Sequence, residues 1–439
     1  MSILGDGRRP QRWRHLVVGL AVLTLVGCGG PTLTPLPVLP TDTPTEPGPT
    51  PTATATPKPT PVILTLELWV PEDLDPYAGG EGSALLAQQL SEFSDAHPSL
   101  QVEVVVKRAH GRGGLIDFMR TARDAAPSVL PDLVLLDASD LATVAGSGLV
   151  QPLDDFLAPS AEDDRFPFAA TMGKVEGKTV GAILGADMQH LAYRPATFAA
   201  PPLTWSDVVS APTSFLFPAG GYDGRVNDAT LVQYLGAGGK LTDAEGNPAL
   251  DEEILVDVFD FYSRCITNTV IAPTQVLTAT HVDQAWEAFK EGNGGMTVVR
   301  ASRYWLEADE TMAAAPIPTR NGHPLTIARG WALALVCEDP ERQASALQLA
   351  DWLTTPERNA SWTQAAGYLP GTRSALRLWK VSEQERTVLR DLLEAAMPPP
   401  RTVVIETVGL PMQHALTDLL RGVASPEEAA ASAMEALRR

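Results

Sequence analysis

From residue 62 onward, short runs of alternating or β-branched apolar residues take turns with segments whose apolar positions recur at helical spacing. Val62-Ile-Leu-Thr-Leu-Glu-Leu-Trp-Val70 reads as a strand. In Ala84-Leu-Leu-Ala-Gln-Gln-Leu-Ser-Glu-Phe93, the residues Leu86, Leu90 and Phe93 share one helical face. Leu100-Gln-Val-Glu-Val-Val-Val106 predicts a second strand and, after a loop and a helix, Asp132-Leu-Val-Leu-Leu-Asp137 predicts a third. Strands separated by helices pair in parallel through right-handed crossovers that cover the sheet with helices. The predicted fold class is therefore α/β.

The first 27 residues follow another pattern. Arg8, Arg9, Arg12 and Arg14 precede an apolar run from Leu16 to Gly27, too short for the ~20 residues of a membrane-crossing helix and laid out like a secretory signal. The run ends in Leu25-Val26-Gly27-Cys28, which resembles the lipobox of bacterial lipoproteins. That resemblance implies a signal peptide over 1–27 and lipid on Cys28, hence an extracytoplasmic protein anchored to the cell membrane. Residues 28–62 are dominated by Pro and Thr, which favour polyproline II at ~3.1 Å per residue and bury no core, so they are expected to form a stalk.

Composition narrows the classes. A chain of 439 residues calls for two lobes or more. The 53 acidic residues outnumber the 33 basic ones, and a formal charge of −20 repels phosphate backbones, which argues against nucleic acid as a partner. Three cysteines are too few for a disulfide-stapled scaffold. Cys265, on an apolar helix face with Leu255, Val258 and Tyr262, and Cys337, at the end of the strand Trp331–Val336, are expected as free thiols in different lobes.

A series of landmarks then follows in order: Leu66-Glu-Leu-Trp69, Pro131-Asp-Leu-Val-Leu-Leu-Asp137, Ala145-Gly-Ser-Gly-Leu-Val-Gln-Pro-Leu-Asp154, Gly177-Lys-Thr-Val-Gly181, Leu191-Ala-Tyr-Arg194 and Pro202-Leu-Thr-Trp-Ser-Asp207. It continues through Gly238-Gly-Lys240, Ala285-Trp-Glu-Ala-Phe-Lys-Glu-Gly292, Gly330-Trp-Ala-Leu-Ala-Leu335, Gly367-Tyr-Leu-Pro370 and a tail from Leu419 to Ala430. In this order the body resembles the family 1 extracellular solute-binding proteins of ABC importers, the maltose-binding-protein-like group. The resemblance implies a two-lobed periplasmic-binding-protein type II clamp, each lobe a mixed, mostly parallel sheet flanked by helices. It implies a first lobe over 63–185, a second over 186–313, a return to the first over 314–360, and the second lobe with C-terminal helices over 361–439. Chain crossings are expected near Leu184–Met188, Ala314–Pro318 and Gln364–Pro370. A small-molecule solute, by this resemblance a sugar, would sit where strand ends face each other across the cleft. The partners would be ABC permease subunits, with the protein a monomer that needs no cofactor or metal.

A sugar presents hydroxyls at the ring edge and C–H patches on its faces, so its site needs carboxylates or amides beside an aromatic ring. Just past predicted strand ends stand Glu72 and Asp73, then Asp137, Ser139 and Asp140. The first pair equally suits a solvated loop, and Ser139 or Asp140 equally suits the cap of the helix starting at Leu141. The resemblance places Asp140 where relatives have a sugar-contacting carboxylate. It also places Tyr222, after the glycine loop Pro218-Ala-Gly-Gly, where they present a ring. Tyr304 and Trp305 match a family glycine-tryptophan position with the glycine replaced, which leaves open which of them reaches the cleft. Arg329 and Trp331 flank Gly330, with Trp331 either platform or core, and Tyr368 lies in the segment that re-enters the cleft.

Catalytic signatures are missing. None of His97, His110, His190, His281, His323 and His414 pairs at i and i+4, and no His-Glu-x-x-His occurs. Gly236-Ala-Gly-Gly-Lys240 lacks the first glycine and the hydroxyl residue of a phosphate loop, and Gly146-Ser-Gly148 lacks nucleophile-elbow spacing. The expected function is capture of a carbohydrate without catalysis. The same clamp holding another polar solute or serving a sensor, and a secreted carbohydrate-active enzyme, are the competing readings.

Overall fold

Leu66, Leu68 and Val70 alternate with Thr65, Glu67 and Trp69 in the strand Leu64–Pro71 (β1), and in the computed structural model, which describes residues 63–154 and 163–438, most of these side chains are buried. The expected signal peptide, Cys28 and the stalk lie outside the described residues. β1 pairs in parallel with Leu100–Lys107 (β2) and with Leu133–Asp137 (β3), and helices Glu81–Ala96 and Leu115–Ala125 form the crossovers. Lys174–Val175 (β4) and Lys178–Thr179 (β5) make a small separate hairpin. The main sheet continues through Ala182–Tyr193 (β6), Phe215–Leu216 (β7), Met296–Arg300 (β8), Ala313–Ala315 (β9), Thr326–Leu335 (β10) and Ala396–Met397 (β11). Among the described residues its order is β2-β1-β3-β10-β6-β8-β7, with β11 on β10 and β9 on β6. β10 is antiparallel to both β3 and β6, and β6 is antiparallel to β8, so the sheet is mixed.

Two sets of buried side chains divide this sheet. Trp69, Leu136, Leu333 and Trp379 belong to cores around β1–β3, while Phe217, Phe259, Val298 and Leu416 belong to a core around β7 and β8. β6 serves both: Leu184, Ala186 and Met188 pack in the first half, Leu191 and Tyr193 in the second. β10 switches between Ile327 and Ala328, and the chain switches a third time at Ala396 and Met397.

These last two switches differ from the expected crossings. Ala315 and Ile317 still pack in the second half. Residues 361–396, expected in the second half, bury Trp362, Leu369, Trp379 and Leu389 in the first. The cause is a set of polar ties that periodicity does not reveal: Asn359 Nδ2 donates to the Leu184 carbonyl at 2.7 Å, and Leu369 and Ala186 exchange backbone hydrogen bonds at 2.7 and 2.8 Å. Cys265 is buried in the second half and Cys337 half-buried in the first, both as free thiols. No helix of the described residues is long and apolar enough to cross a membrane.

Candidate functional site

The strand register builds one polar face. In β6 the period of two puts Gly185, Asp187 and Gln189 on the same side. Opposite them stand Trp331, Arg329 and Arg300, and Trp331 is also opposite Asp137 of β3. Cross-strand partners share a face, so Asp137, Trp331, Arg329, Asp187, Gln189 and Arg300 converge. The register slips between Trp331 and Ala332, and such irregularities re-aim side chains beside sites. Gly185 leaves room over the sheet: a Cβ there would stand 2.9 Å from the Trp362 ring and 3.1 Å from Tyr368 Cβ.

This face lines a cavity of about 280 Å³ that is also lined by Asp73, Asp228 and Tyr368. A second cavity, of about 540 Å³, shares Gln189, Asp228, Arg300 and Arg329 with it and extends along Tyr222, Arg225 and His281. A third, of about 500 Å³, shares Asp73 and Tyr368 and runs beside Glu81, Ser83 and Trp362. The result is a furrow of three adjoining chambers, the first two lined in part by the strand pair that passes between the halves and the third by helix Glu81–Ala96 and the segment around Trp362 and Tyr368.

Most charged groups in the floor chamber are held in place. Arg329 sets Nη2 at 2.9 Å from both carboxylate oxygens of Asp228, in the first turn of helix Asp228–Gly236. Arg300 pairs with Asp283 at 2.6 Å. Asp187 accepts from the Ser302 backbone N–H at 3.0 Å and its hydroxyl at 2.5 Å, capping helix Ala301–Glu307; burial nevertheless pushes its carboxyl up. Asp137 accepts from the Ser139 N–H, while His110 stands 3.9 Å away. Among the described residues no cluster of His, Cys, Asp or Glu is arranged to hold a metal ion.

Of the residues singled out in the sequence, Asp73, Asp137, Arg329, Trp331 and Tyr368 line the floor chamber, and Tyr222 lines the second. The Tyr222 ring is exposed and lies 4.5 Å from that of His281. Glu72 and Ser139 are exposed and line none of these chambers. Asp140 sits at the N-terminus of helix Leu141–Gly146 without capping it by its side chain and faces His110 at 3.4 Å. Burial raises its carboxyl, and His110 partly offsets this.

Tyr304 and Trp305 do not reach the chambers. Tyr304 is buried between His190 and Trp286, and Trp305 packs edge-on against Trp379, because Arg300 ends β8 and the chain turns at once into a helix whose apolar face must be covered. Asp187, Gln189, Asp228 and Arg300 were missed. The alternation of polar Asp187 and Gln189 with apolar Ala186 and Met188 was the available signal for two of them.

A mixed sheet divided between two cores, with a polar furrow over the strands that join them, defines a two-lobed solute clamp. Residues 88–385 match the family described as bacterial extracellular solute-binding protein, and the chain belongs to that family. Solved structures agree in fold. A cyclic alpha-maltosyl-1,6-maltose binding protein from Arthrobacter globiformis superposes with TM-score 0.68 at 18% identity, over 85% of this chain and 98% of that one. The sugar-binding protein MalE from Xanthomonas citri gives 0.66 at 19%, over 85% and 98%. A solute-binding protein of an ABC transporter from Thermotoga lettingae, bound with alpha-D-tagatose, gives 0.62 at 18%, over 85% and 99%. At such identities the likeness speaks for the fold alone, and the neighbours are binding proteins for sugars.

Proposed function

We propose that this protein captures a carbohydrate in the furrow, closes its lobes on it and delivers it to an ABC importer without altering it. The observation that carries the reading is the furrow itself: side-chain carboxylates, guanidiniums and an amide stand beside Trp331 and Tyr368 in one chamber and beside Tyr222 in the next. Hydroxyls both donate and accept, so they match mixed edges of this kind, while ring faces match the aromatics. Neighbours named for maltose-type sugars and tagatose support the class. Lobe closure would be a hinge motion about β6 and β10, where the buried clusters change over. Lipid on Cys28 would hold the clamp at the outer face of the membrane.

The thermal midpoint of the protein, read against mono- and oligosaccharides, amino acids, polyamines and phosphate, tests this. A ligand present at 100-fold its Kd adds ~2.7 kcal/mol, an easily seen shift. A shift with saccharides alone is expected. A shift with amino acids or phosphate and with no saccharide would overturn the sugar reading. Release of reducing ends from an added glycan, lost in Asp137→Asn, would overturn binding without catalysis.

A further inference from the structure

Cations and carboxylates are unevenly matched around the furrow. Each guanidinium lining the floor chamber and the Tyr222 chamber is already engaged: Arg329 with Asp228 at 2.9 Å, Arg300 with Asp283 at 2.6 Å, Arg225 with Glu406 at 3.5 Å. The carboxylates of Asp73 and Asp137 in the floor chamber, and of Glu81 in the chamber that shares Asp73, form no ion pair with any Lys or Arg among the described residues. The basic groups nearest them are the exposed His110, at 3.9 Å from Asp137 with Asp140 competing for it at 3.4 Å, and the chamber's own Arg329, whose charge Asp137 helps to stabilise although its ion pair is with Asp228. The unmatched charge of the furrow is therefore negative, and it lies on the β1–β3 side.

Independently of that charge, Trp331 and Tyr368 present aromatic surface to the same chamber. Carboxylates that form no ion pair with Lys or Arg, beside partly exposed aromatic rings, are the chemistry that holds an ammonium group, through charge-assisted N–H···O bonds and cation–π attraction. A neutral hydroxyl can bond to the same oxygens but leaves their charge uncompensated once closure excludes water.

We infer that the solute carries a protonated amino group, taken up in the chamber lined by Asp73, Asp137, Trp331 and Tyr368, so that the substrate class is an amine-bearing saccharide. This rests on the sugar reading of the site and adds the charge. Titration calorimetry with di- and triglucosamine, their fully N-acetylated counterparts and maltotriose, at low and high salt, tests it. The glucosamine oligomers are expected to bind tighter than the N-acetylated ones by about tenfold or more, the scale of one hydrogen bond to a charged group. The margin should shrink at high salt and collapse in Asp73→Asn and Asp137→Asn. Should a variant fail to fold, the N-acetyl comparison and its salt dependence in the unaltered protein decide alone. N-acetylated or neutral oligomers binding as tightly as the amines would overturn the inference and leave the sugar reading standing. Binding of spermidine with no saccharide of any kind would overturn both.

Discussion

Arg329 and Asp228 form a bidentate pair across the furrow floor, joining β10, just past its change of core, to the first turn of a helix in the other half. The side chain of Arg329 is 54% exposed and that of Asp228 16%, so solvent screens the pair and its share in stability is small. Its effect on the site is larger, because it fixes a guanidinium on the wall shared by two chambers.

Asp228→Asn is therefore expected to lower stability by about 1 kcal/mol or less. It should weaken solute binding by about tenfold, through the loss of one charge-assisted contact that orients Arg329. Calorimetry beside a urea melt separates the two, and a binding loss no greater than the stability loss would reduce the pair to a structural tie.

Asp132 plays the opposite part. It is 2% exposed, takes Arg342 at 2.5 and 2.6 Å, accepts from the Glu67 N–H at 2.8 Å and lines none of the three chambers. Asp132→Ala leaves the Glu67 N–H without its acceptor and Arg342 without its counter-ion, a loss of about 3 kcal/mol. Urea denaturation should show that loss while solute affinity holds.

His190, fully buried on β6, is pulled down to about 4 by desolvation, and its Nε2 has no partner. As pH falls from about 6.5 toward 4, the unfolded chain binds a proton here that the folded chain refuses. Stability attributable to this ring is thus whole above pH ~6.5 and declines over that window by roughly 3 kcal/mol. The thermal midpoint of His190→Leu should fall less steeply between those pH values than that of the unaltered protein. Equal slopes would mean that the ring takes its proton without unfolding.

What the sequence made legible, and what it hid, follows from the range of the interactions. Strands β1 to β3 and their helices were readable because alternation and helical spacing are local signals. Asp73, Asp137, Arg329 and Trp331 could be nominated because they sit at or near strand ends or in recognisable landmarks. Asp187, Gln189 and Arg300 meet only through the antiparallel register of β6 with β8 and β10, a pairing across more than 100 residues. Asp228 carries no local signal of its role: it stands in the first turn of a helix capped by Asn227, which accepts from the Thr230 N–H, and carboxylates are ordinary at such a place. The placement of 361–396 escaped because Asn359 and Leu369 bond to β6 backbone that no periodicity identifies.

Gly330 tests how tightly β10 and β6 are fitted. A Cβ there would lie 2.8 Å from the Gly185 carbonyl oxygen, which is backbone and cannot swing aside. Gly330→Ala is expected to cost about 1 to 3 kcal/mol and to disturb the floor chamber that Gly330 lines. Loss of stability with unchanged binding would show that the strands adjust away from the site.

Tyr222 and Trp305 were nominated for the same kind of role and ended in different surroundings. Tyr222 is 58% exposed on the chamber wall, so Tyr222→Ala should alter stability by no more than about 0.5 kcal/mol. Its ring is the aromatic surface of the second chamber, and its removal should weaken saccharide binding by about tenfold, the scale of one stacked aromatic face. Trp305 instead packs at the seam between two cores, against Trp379 and Tyr304. Trp305→Ala should destabilise by about 3 kcal/mol through the cavity it leaves. Under conditions where both variants are folded, affinity should fall for Tyr222→Ala and hold for Trp305→Ala. The reverse pattern would mean that the closed clamp draws helix Ala301–Glu307 into the furrow, and that the aromatic platform lies there.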